Sequence, residues 1–129
     1  MKLLLDTHAL VWWWTDDTRL PAAARAAIAA PGNVVYISSA TAWEIATKYR
    51  IGRWPEVAGM VAEFGSLLRR SRFHPLPVGM EHSLRAGGMP GPHRDPFDRM
   101  LIAQAALETL PVVTGDAVFA AYGADTIWA

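Results

Sequence analysis

The chain has 129 residues, 52% of them hydrophobic, with twelve basic side chains, twelve acidic ones and no cysteine. Such a length is expected to give one domain over residues 1–129 with a proper core. The lack of cysteine excludes disulfides and thiolate metal sites and suits a reducing, cytoplasmic location. A formal net charge of zero removes any global attraction for nucleic acid, so such a contact must come from a local basic surface. In MKLLLDTHALVWWW the apolar run is broken by Asp6 and His8, too early for a signal peptide or a membrane span.

In chain order, Lys2 to Leu5 reads as a buried strand ending at a carboxylate, and His8 to Trp14 as a helix. Ala22 to Ala30 is an alanine-rich helix with Pro21 at its start and Pro31-Gly32 as its stop. Val34 to Ile37 is a β-branched strand followed by the helix-start residues Ser38 and Ser39. Thr41 to Ile51 is helical up to Gly52, and Glu56 to Arg70 is an amphipathic helix. Phe73 to Val78 holds two prolines, so it can only be an edge strand. A short helix over Glu81 to Ala86 precedes a loop over Gly87 to Pro92. Pro96 to Thr109 is the clearest helix, then come a strand at Pro111 to Thr114, a helix at Ala117 to Tyr122 and a strand at Thr126 to Trp128. This alternation predicts a three-layer α/β/α sandwich around a mostly parallel sheet. Functional groups then gather beyond the carboxyl ends of the strands, where Asp6, Asp116, Ser38 and Ser39 fall.

Each acid has an ordinary reading beside a functional one. Asp6 can cap the following helix. Glu44 can form a surface pair with Lys48 four residues on. Asp95 before Pro96 is a good N-cap, with Asp98 at N3 of the same helix. Asp98, however, shares a face with Leu101, Ile102 and Ala105, where a carboxylate is costly unless a cation or a strong donor meets it. Asp116 can cap the helix that follows it, and Thr114 can hydrogen-bond a neighbouring carboxylate or a water. A parallel sheet nevertheless allows Asp6, Glu44, Asp98 and Asp116 to converge. Converging carboxylates repel unless a divalent cation neutralises them, and an all-oxygen set selects a hard ion such as Mg²⁺ or Mn²⁺.

The segments LLLDTHALVW (3–12), SSATAWEIATKYRIGR (38–53), HRDPFDRMLIAQA (93–105) and VVTGDAVFAAYG (112–123) resemble the PIN-domain nucleases, and more closely the VapC-type toxins of bacterial toxin–antitoxin pairs. The resemblance implies that Asp6, Glu44 and Asp98 are the three acids of the core site and Asp116 a more variable fourth. It further implies Mg²⁺- or Mn²⁺-dependent endoribonuclease activity on single-stranded or loop RNA, a homodimer, and inhibition by a cognate antitoxin. Asp95 departs from the pattern, since not every such domain has an acid there. In this scheme Asp6, Asp98, Asp116 and Glu44 serve the metal and the attacking water.

Lys48 and Arg99 lie near Glu44 and Asp98 and are the candidate contacts to a substrate phosphate, together with Thr114. Arg69, Arg70 and Arg72 suit the end of a helix, and His93 lies in a loop within reach of the groove. Consecutive helical positions diverge by about 100°, so at least one of Trp12, Trp13 and Trp14 is expected to be exposed or in an interface. Two other readings stay open: a receiver-like, Mg²⁺-binding phosphoacceptor domain, and a PIN fold kept only for binding. No G-x-S-x-G, P-loop or zinc-spaced histidines occur in the sequence.

Overall fold

Five short strands lie parallel in one sheet, and a sheet of that kind requires cover on both faces. The computed structural model describes all residues, 1–129. The strands are β1 (Lys2–Leu5), β2 (Val34–Ser38), β3 (His74–Leu76), β4 (Val112–Val113) and β5 (Thr126–Ile127), in the order β3-β2-β1-β4-β5. Around them pack α1 (Thr7–Trp14), α2 (Ala22–Ala29), α3 (Ser39–Arg50), α4 (Ala58–Ser71), α5 (Met80–Gly88), α6 (Pro96–Glu108) and α7 (Ala117–Ala121). No helix is long and apolar enough to cross a membrane.

The central strand explains the layering. Side chains alternate between faces along a strand, so Leu3 and Leu5 join Val35, Ile37 and Val113 in one core, closed by Leu10, Ala24, Ile45 and Met60. Leu4 and Val112 turn the other way, into a second core with Leu101, Ile102, Ala105 and Phe119. The chain after β1 enters α1 on the first face, whereas the chain after β4 leads to α7 on the second. Neighbouring parallel strands whose connections leave to opposite faces open a crevice at their carboxyl ends. Asp6 and Asp116 flank that crevice.

The elements depart from the sequence reading in four places. The segment 56–70 is not one helix: a 3₁₀ turn at Pro55–Val57 precedes α4, which bends at Glu63 (φ −122°, ψ 21°). α5 runs on to Gly88, so Gly87 and Gly88 belong to the helix and the loop begins at Met89. α3 starts at Ser39 because the Ser38 hydroxyl accepts from Ala40 N at 3.0 Å. None of Trp12, Trp13 and Trp14 is exposed; all three pack partly buried against the first core. Trp12 lies 5.9 Å from Trp128, Trp13 6.5 Å from Phe73 and Trp14 5.2 Å from Phe64, while Trp14 Nε1 donates to Ser71 Oγ at 2.8 Å. Trp128 just after β5, Phe73 just before β3 and Phe64 and Ser71 of α4 surround α1 on several sides, and the tryptophan left exposed is Trp43.

Phe119 is fully buried in the second core. Phe119→Ala is expected to lower unfolding free energy by about 3–5 kcal/mol in urea denaturation. Leu84→Ala, at an exposed position, should change it by no more than about 0.5 kcal/mol.

Candidate active site

Asp6 is the first residue past β1 and is buried, with 6% of its surface exposed. Its Oδ1 accepts from Ala9 N at 2.7 Å and so caps α1. Its Oδ2 accepts from the hydroxyl of Thr114, at the end of β4. The Thr114 oxygen in turn accepts from Asp116 N at 3.0 Å, and Asp116 Oδ1 caps α7 by accepting from Val118 N at 3.0 Å. One threonine therefore ties the two strand-end acids together. Burial pushes the Asp6 carboxyl above its ordinary value, the Thr114 and Ala9 bonds oppose that rise, and the charge of Asp116 adds to it.

Glu44 overturns the reading of a surface pair, because it is 3% exposed. Its Oε1 accepts from Thr7 Oγ1 at 2.6 Å, and its Oε2 pairs with Lys48 Nζ at 2.5 Å. Thr41 Oγ1, one helical turn before Glu44, lies 3.2 Å from Thr7 Oγ1. Thr7 follows Asp6 directly, so the junction of β1 and α1 supplies one acid and the hydroxyl that holds another.

Asp95 caps α6, accepting from Phe97 N at 2.9 Å and Asp98 N at 3.1 Å. Asp98 Oδ2 bonds His93 Nε2 at 2.9 Å. Burial first, then the charges of Asp95, Glu44 and Asp116, push the Asp98 carboxyl up to about 6, against the His93 bond, which lowers it. The charge of Asp116 thus acts on both Asp6 and Asp98, and that of Glu44 on Asp98.

The basic candidates divide. Lys48 lies on Glu44, with its ammonium 5.9 Å from the Trp54 ring. Arg99 is turned away from the role the sequence suggested: its guanidinium donates to Ala86 O at 2.9 Å, to His93 O at 3.0 Å and to Met89 O. Those bonds commit it to the loop backbone rather than to a phosphate. Two clefts meet at His8: one of about 440 Å³ lined by Asp6, His8, Trp12, Arg19, Asp116 and Trp128, and one of about 330 Å³ lined by His8, Lys48, Arg53 and Trp54. Thr7, Thr41 and the His93–Asp98 bond were missed from the sequence. Thr41 was findable from its i−3 spacing to Glu44, whereas Thr7 and His93 carry no local signal.

As a donor set the site is chemically suited to a hard divalent cation: carboxylate oxygens, with neighbouring hydroxyls, two of the carboxyls strained by burial and mutual repulsion. The side chains satisfy one another with protein donors, and no three acidic or histidine groups gather around one point.

An acid with a raised folded-state pKa keeps its proton to higher pH than the unfolded chain does. Its contribution to stability is full below the unfolded value of 3.8 and is lost as pH rises through about 6. Metal-free protein should accordingly gain thermal stability as pH falls from about 7.5 to about 5. Asp98→Asn should be more stable than the parent at the upper pH and show a shallower gain. A variant that keeps the parent's full pH slope in thermal melts would contradict this account of Asp98.

Comparison with known proteins gives the frame. A PIN domain family model matches residues 3–125, which sets the receiver-like alternative aside. No curated protein sequence matches the chain. Among solved structures it is similar to a chain of VapBC2 from Rickettsia felis, crystallised with a DNA fragment from their promoter. There the identity is 17% and the TM-score 0.70, over 98% of this chain and 97% of that one. It is also similar to a chain of FitAcB from Neisseria gonorrhoeae, at 20% identity and a TM-score of 0.56, over 98% and 96% of the two chains. At these identities the likeness establishes the fold, a PIN-like α/β/α arrangement. Members of the family are generally nucleases. By the match over residues 3–125, the chain belongs to the PIN domain family.

Proposed function

We propose that this protein is a VapC-type toxin, a divalent-metal-dependent endoribonuclease that cleaves single-stranded or loop RNA in the cytoplasm, acts as a homodimer and is held inactive by a cognate antitoxin. The observation that carries the reading is the set of partly or wholly buried carboxyls of Asp6, Glu44 and Asp98, beside the exposed Asp116, at the carboxyl edge of a PIN-type sheet, with raised pKa values at Asp6 and Asp98. The two solved neighbours, VapBC2 and FitAcB, support a two-component partnership.

Asp6 and Asp98 would hold Mg²⁺ or Mn²⁺, with Asp116 directly or through water, and Glu44 would position the attacking water or a second ion. Such an ion, when bound, polarises a phosphoryl oxygen and lowers the pKa of a water for in-line attack. The chain's own groups prepare that chemistry. Thr114 fixes the Asp6 carboxylate, and Thr7 with Lys48 fixes that of Glu44. Lys48 keeps part of its side chain exposed (27%) beside the cleft, where a phosphodiester can meet its charge.

Asp6→Asn or Asp98→Asn should abolish metal-dependent cleavage of a single-stranded RNA, losing at least about 10²-fold in kcat, while leaving the circular dichroism spectrum unchanged. Parental activity in either folded variant contradicts the assignment. Expression without an antitoxin should stop growth and produce new RNA 5′ ends; growth without new ends would favour a binding role.

A further inference from the structure

The segment Met89–Asp95 joins α5 to α6 and contains Pro90, Gly91 and Pro92. Most of it is exposed, including Pro90, Gly91, Pro92 and Arg94, so apolar burial does not account for its shape. Polar ties do. The Arg99 guanidinium donates to carbonyls before, at the start of and within the segment: Ala86, Met89 and His93. The Tyr122 hydroxyl accepts from His93 N at 3.2 Å. Gly91 takes φ 106°, and a Cβ there would overlap Tyr122 Oη, so the phenol lies directly against the glycine backbone. Two side chains from α6 and the end of α7 thereby define where the backbone of His93 runs.

The His93 ring packs edge-on against Tyr122, with centroids 6.4 Å apart, and makes one side-chain hydrogen bond, Nε2 to Asp98 Oδ2 at 2.9 Å. Asp98 does not need this bond to start α6, because Asp95 already caps its backbone N–H. An ionised carboxylate only accepts, so the ring nitrogen facing it carries the proton. We infer that His93 is a positioning residue for the carboxylate centre: its Nε2–H holds Oδ2 of Asp98, and Arg99 and Tyr122 hold His93. This rests on the proposed role of Asp98 as a cation-binding carboxylate. Hydrogen bonds of this kind orient ligating groups, and their loss typically costs 10–100-fold in metal affinity or activity.

The test is calorimetric titration of the purified full-length chain with Mn²⁺ alone, alongside kinetics on a single-stranded RNA. His93→Ala should weaken Mn²⁺ binding about tenfold and lower kcat with KM for RNA unchanged. His93→Gln, whose amide can donate to the same oxygen, should recover most of both. Tyr122→Phe removes the hydroxyl that receives His93 N and should show a smaller loss in the same direction. Parental Mn²⁺ affinity in His93→Ala, or equal impairment in His93→Ala and His93→Gln, overturns the inference. If Asp98→Asn also keeps parental affinity and cleavage, the reading of the site itself has failed; if Asp98→Asn is impaired and His93→Ala is not, only the role of His93 falls.

Discussion

A carboxylate is not tolerated inside a strand buried on both faces, and that single constraint arranges the whole molecule. Leu3, Leu4 and Leu5 are fully buried, alternately in two cores. Past the exposed Lys2 at its start, the first position where this stretch of chain can present a charge is therefore Asp6, one residue beyond the end of β1. The same holds for β4, where Val112 and Val113 are buried and Asp116 follows after Thr114 and Gly115. Because β1 and β4 are hydrogen-bonded neighbours, with Leu5 opposite Val113, their ends bring the two acids to one rim. Glu44 and Asp98 reach it from α3 and α6. Hydrophobic burial thus decides where the polar chemistry of this protein can be.

Bringing acids together at a half-dry rim is costly, and three local devices limit that cost. Each uses a donor from a different element: Thr114 on Asp6, Thr7 with Lys48 on Glu44, and His93 on Asp98. They do not cancel the penalty at Asp6 and Asp98, whose carboxyls remain above their ordinary values. A site left electrostatically unfavourable when metal-free is one that a divalent cation would stabilise. Helix capping also leaves these carboxyls available for other contacts. Oδ1 of Asp6 satisfies the start of α1 while Oδ2 takes the Thr114 hydroxyl, and Asp95 performs the capping that frees the Asp98 side chain.

Most of this architecture was legible in the sequence, for identifiable reasons. Strands buried on both faces leave short continuous apolar runs, and Asp6, Ser38, Asp95 and Asp116 have the chemistry of caps before their helices. The edge position of β3 followed from Pro75, which has no N–H to give a second neighbour. What was not legible depended on partners distant in sequence. An acid four residues before a lysine looks the same on a surface helix as in a core, and only Thr7 from another element marks Glu44 as buried. Arg99 beside Asp98 suggested a phosphate contact, yet the carbonyls that capture it belong to a loop whose course no local pattern encodes. Three successive tryptophans implied a ring exposed or in an interface because the sequence could not show Trp128, Phe73 and α4 packing around α1.

The central claim is that the buried carboxyls form a cation site, and proton linkage tests it most directly, since a cation and a proton compete for the same oxygens. Mn²⁺ should be titrated calorimetrically at about pH 6 in buffers of differing ionisation enthalpy. With Asp98 titrating at about 6, the account predicts release of about half a proton or more per ion bound, falling toward zero at about pH 8. Binding with no proton release at the lower pH, or no binding at all, would contradict it.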